Sequence, residues 1–105
     1  MSTTLSPLPS IYASDPEMQP LIRDFAFELE RRFAELTDAL ARDDRDRIRH
    51  VAHQLLGAGG TYGFAVVTKV CRGLETAATR PAVPLAPHLE ALGTVVRRIT
   101  LAHAA

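Results

Sequence analysis

Ile22, Phe25, Leu29, Phe33, Leu36 and Leu40 recur at spacings of three and four in an otherwise polar stretch. At about 100° of rotation per residue, that spacing gathers all six on one stripe of a helix and turns the charged residues away from it. A helix with a single apolar stripe has to bury it against partners, so this chain must supply further helices. Three more stripes follow: Ile48, Val51, Ala52, Leu55, Gly59 and Tyr62; then Val67, Val70, Cys71, Leu74 and Ala78; then Leu89, Leu92, Val96, Ile99 and His103. Strand-like alternation is absent from the sequence, and the connections are short. The expected fold is all-α, an antiparallel four-helix bundle over residues 15–105.

The helix ends carry their own signals. Asp15 and Pro16 suit an N-cap and a first helical position, which places the first helix from there to about Arg42. Asp43 or Asp44 can cap the second helix, Gly63 can end it in a left-handed conformation, and "RPAVP" separates the third from a fourth that starts near Leu85. Residues 1–14, with two prolines and no helical period, read as an extended or partly disordered lead, from which Ile11 and Tyr12 are candidates to pack on the domain.

At 105 residues, 47% hydrophobic and 23% charged, the chain is expected to form one soluble domain. Twelve basic side chains balance twelve acidic ones, so the basic excess of a nucleic-acid binder is missing. Apolar runs stay short of the ~18 residues a membrane span needs, and the first residues do not read as a secretory leader. A cytoplasmic location is the expectation, and the single cysteine, Cys71, agrees with a reducing compartment.

The second helix contains "AHQLLGAGGTYGF", residues 52–64, where Gly57, Gly59 and Gly60 closely follow His53. Each glycine weakens a helix by roughly 0.5–1 kcal/mol relative to alanine, so their presence needs a reason. With Ile48 set at zero, the inward residues centre near about 345°, and His53 lies about 155° away, facing solvent. Arg49, Gly57 and Gly60 share that outer face. A surface glycine lets another molecule approach the backbone, so the strip beyond His53 reads as a docking surface; a frayed helix end beside an ordinary surface histidine is the plainer explanation.

This stretch resembles the histidine-containing phosphotransfer (HPt) domain motif, roughly A-H-x-L-K-G-x-x-x-x-x-G, with Ala52, His53, Leu55, Gly57 and Gly63 in register. The preceding helix rich in Phe and Leu, Asp44 nine positions before the histidine, and "CRGLETAA" on the next helix extend the likeness over residues 20–80. The resemblance implies a phosphorelay module without kinase activity of its own. His53 would accept a phosphoryl group and exchange it with the aspartate of a receiver domain, in a response regulator or a hybrid histidine kinase. It implies that Glu75, 22 positions on, orients the imidazole, and that Gly57 gives docking clearance. Any Mg²⁺ belongs to the receiver, so this chain is expected to hold no cofactor or metal.

One position departs from the family. Where a lysine usually stands three residues after the histidine, this chain has Leu56. An apolar side chain cannot neutralise a phosphoryl group of about −1.5 to −2 charges. Arg49, Lys69 and Arg72 are the candidate replacements, Gly60 belongs to the partner-facing strip, and Leu56 itself is a candidate apolar contact. A docking or adaptor module that is never phosphorylated is the alternative. A metal site from His50, His53, His88 and His103 is disfavoured because no two are spaced i, i+4. No nucleic acid or membrane partner is expected, and the bundle is expected to be a monomer.

Overall fold

The computed structural model describes residues 5–104 and contains four helices: α1 (Gln19–Ala41), α2 (Arg45–Thr61), α3 (Ala65–Ala78) and α4 (Ala86–His103). They pack as a ring in chain order, with α4 closing back on α1, and α2 and α3 form the most extensive pair. Ile22, Leu29 and Leu36 of α1 are fully buried against Ile48 and Val51 of α2, Val67, Cys71 and Leu74 of α3, and Leu92 and Ile99 of α4. Each belongs to its predicted stripe. Val70 is only half-buried, at the edge of the core. Burial pushes the Cys71 thiol up to about 12, which leaves it protonated and inert.

α1 begins at Gln19, three residues later than an Asp15 cap suggests. A helix capped at Asp15 would place Pro20 beyond the first turn, where a missing N–H and a ring clash break the ladder. The chain instead makes a turn, in which the Asp15 carboxylate accepts from the Glu17 N–H at 3.0 Å, and α1 opens with Pro20 in its first turn. At the other end Asp43 takes a left-handed φ of 54°. The Asp44 N–H then reaches the Ala39 carbonyl at 2.8 Å. The Asp44 side chain accepts from the Arg47 N–H, so one short turn ends α1 and caps α2.

Two long-range ties hold the ends of the bundle. The Arg45 guanidinium donates to the carbonyls of Ala77, Ala78, Arg80 and Val83, placing a cation at the C-terminal end of α3 and clasping the α3–α4 loop. Residues 5–18 run back over the opposite end. There the Leu8 N–H donates to the Arg98 carbonyl at 2.9 Å, and the buried Ser10 donates its N–H to His103 Nε2 at 2.9 Å. The Ser10 hydroxyl donates to the Tyr62 carbonyl at 2.6 Å, and the Ile11 N–H to the Gly63 carbonyl at 3.1 Å. His103 packs edge-on against Phe64, and desolvation lowers its pKa, which favours the neutral ring that accepts from Ser10. The segment is tied by its backbone, so the Ile11 side chain stays outside, 78% exposed, rather than packing down.

Among the described residues, no helix is long and apolar enough to cross a membrane.

Candidate functional site

The inward residues Val51, Ala52 and Leu55 fix the rotation of α2 by entering the core. That rotation turns His53 outward, with 71% of its side chain exposed. From α3, the half-buried Glu75 reaches across, and its Oε2 lies 2.5 Å from His53 Nδ1. A carboxylate can only accept, so the proton of the neutral ring is held on Nδ1. Nε2 carries the free lone pair, and no hydrogen bond engages it among the described residues. The pair therefore presents a nucleophilic nitrogen to solvent, with its tautomer and ring orientation set from the neighbouring helix.

The three glycines after His53 have two different surroundings. A Cβ built on Gly57 or Gly60 meets nothing within 4 Å, so the surface along α2 beyond the imidazole is open. A Cβ on Gly59 would stand 2.8 Å from Thr68 Oγ1 and 2.9 Å from the Thr68 backbone N, so α3 packs directly on the α2 backbone there. At the same crossing the Thr68 hydroxyl donates to the Leu56 carbonyl at 2.8 Å. Gly63, at φ +82°, ends α2 as expected, with the Phe64 N–H closing on the Gly59 carbonyl at 2.8 Å. Thr68 escaped the sequence reading, although a small polar residue seven positions before Glu75, and so on the same face of α3, was its available signal.

The remaining candidates are spread around this centre. Leu56 is half-buried against the core and projects only partly toward solvent. Arg49, Lys69 and Arg72 are exposed, and none enters an ion pair or side-chain hydrogen bond among the described residues. Arg72 precedes Glu75 by three residues and is its neighbour on the helix surface. Lys69 is rotated about 120° from Glu75 and lines a groove between α3 and α4 together with Arg72. On the other flank, between α1 and α2, Asp24, Glu28, Arg32 and Gln54 line a second groove of about 460 Å³. His50 bonds Gln54, His88 lies beside Gly73 and His103 holds Ser10, so the four histidines do not converge.

The family model named Hpt domain matches residues 20–104, which span all four helices. No curated protein and no solved structure matches the chain. The matched span covers most of the chain and includes the outward histidine, its carboxylate partner and the bare helix strip: the chain belongs to the Hpt domain family, phosphotransfer-type modules of two-component signalling.

Proposed function

We propose that His53 is the phosphoacceptor, taking a phosphoryl group from an aspartyl phosphate of a receiver domain and able to return it. The observation that carries this reading is the His53–Glu75 pair, which frees Nε2 while holding the proton on Nδ1. In the transfer, the Nε2 lone pair forms the new P–N bond as the P–O bond to the donor aspartate breaks, and the departing carboxylate takes that electron pair. The ring gains positive charge as the bond forms, and the Glu75 carboxylate beside Nδ1 stabilises it. In-line transfer requires donor, phosphorus and acceptor to line up between two proteins. The open strip at Gly57 and Gly60 lets the partner's loops reach that line.

Leu56 supplies no charge for the phosphoryl oxygens, so that task falls to the unpaired cations, with Arg72 the best placed beside Glu75 and Arg49 the next. The Mg²⁺ of the reaction is assigned to the receiver. The protein acts as a monomeric cytoplasmic carrier and not as a kinase.

Incubation with a phosphorylated receiver should give an acid-labile, base-stable label that disappears in His53→Gln, while the helical circular dichroism is retained. Glu75→Ala should still take label, but about tenfold or more slowly, because the tautomer and the developing ring charge lose their partner. Label that survives His53→Gln would move the site elsewhere. Absence of label from a panel of phosphorylated receivers would favour docking without phosphorylation, the reading that Leu56 supports.

A further inference from the structure

The chain is neutral overall, but its two halves are not. Residues 64–105 contain Lys69, Arg72, Arg80, Arg97 and Arg98 against only Glu75 and Glu90, a net side-chain charge of about +3; with 12 basic and 12 acidic residues in total, residues 1–63 carry the opposite excess. The ion pairs among the described residues lie within α1 or at its C-cap Arg42, at the α1–α2 crossing, or at His53–Glu75. The positive excess includes a row facing one groove. Lys69, Arg72, Thr76 and Arg80, at spacings of three and four, line an opening of about 450 Å³ between α3 and the start of α4, where Val83 and His88 complete the wall. No carboxylate lines it.

We propose that this groove is a docking subsite for an extended acidic segment of the protein that exchanges phosphoryl groups with His53. This inference rests on the phosphotransfer reading for the partner's identity. Lys69 to the end of α3 at Ala78 is about 14 Å at helical rise, with Arg80 two residues beyond in the loop, a length matched by about five residues of extended chain. A single phosphate or other small anion would meet only one or two of the three cations, whereas an acidic segment carries a carboxylate to each. Gly73 lets the His88 imidazole sit close against α3, with its Nδ1 3.6 Å from where a Cβ would stand, and Val83 gives the segment's apolar atoms a surface. Arg72 lines the groove and also lies one helical turn before Glu75, so it links the row to the surroundings of the reacting centre. A segment seated there fixes the side from which the partner approaches His53.

The first probe is a hexaglutamate peptide, titrated into ¹⁵N-labelled protein at low salt. Amides of residues 69–80 and of His88 should shift in a saturable manner, and salt should weaken the effect. An exposed charge pair changes affinity by roughly 1.5- to 5-fold, so Lys69→Glu with Arg80→Glu should lower peptide affinity about tenfold. Arg97→Glu, the same change on a different groove of α4, should leave it unaltered. With a phosphorylated receiver as substrate, the double variant should raise KM about tenfold and affect kcat far less.

Shifts absent from the groove, equal loss with Arg97→Glu, complete displacement of the peptide by millimolar inorganic phosphate, or tighter binding of a single-stranded oligonucleotide of equal charge would each overturn the proposal. Peptide shifts without any labelling of His53 would retain the acidic-segment site and overturn the phosphotransfer reading. Normal labelling with an unchanged KM in the double variant would do the reverse.

Discussion

On the inner face of α2, one added methyl group at Gly59 would stand 2.8 Å from a side-chain oxygen of α3 and 2.9 Å from its backbone; on the outer face, the same methyl at Gly57 or Gly60 meets open space. Two of these positions are adjacent in sequence, and all three lie within four residues. The inner glycine serves packing, because it lets α3 approach α2 closely enough for the Thr68 hydroxyl to reach the Leu56 carbonyl. The outer pair serves no packing visible in the fold. They lower helix stability and leave the backbone beside His53 uncovered, which is what a surface reserved for a second protein requires.

The largest consequence of this difference should be seen at Gly59. Gly59→Val drives atoms into the α3 backbone and should destabilise the bundle by about 3 kcal/mol, with overpacking outweighing any gain in helix propensity. Urea denaturation checks the sign, and a variant as stable as the parent would remove the close approach from the account. Next in size is Gly57→Gln, which should fold normally yet slow transfer from a phosphorylated receiver about tenfold, equivalent to roughly 1.4 kcal/mol. Unimpaired transfer would mean that the open strip is not a docking surface. The smallest effect has the opposite sign: Gly57→Ala and Gly60→Ala should each stabilise the protein by about 0.5–1 kcal/mol.

The contrast also marks what the sequence could disclose. Helical periodicity alone placed His53 outward and Gly59 inward, because the core stripe fixes the rotation of α2 and every other residue follows from 100° steps. The pairing of Glu75 with His53 came from family resemblance; the helix wheel located Glu75 only at the edge of the α3 stripe. The Arg45 clasp and the Ser10 hydroxyl tie were illegible, since their partners are backbone carbonyls 32–52 residues away. Backbone groups carry no residue-type signal. The start of α1 was misplaced because Asp15 caps a turn as readily as a helix, and the competing signal at Pro20 decides which forms.

The central claim is that Glu75 holds the proton on Nδ1 and leaves Nε2 free to bond phosphorus. Long-range ¹H–¹⁵N correlation of the imidazole, recorded before and after phosphorylation, tests it at the atoms concerned. The account predicts a neutral ring protonated at Nδ1 in the free protein and a phosphoryl group bonded to Nε2 afterwards. A free ring protonated at Nε2, or a phosphoryl group bonded to Nδ1, would contradict it.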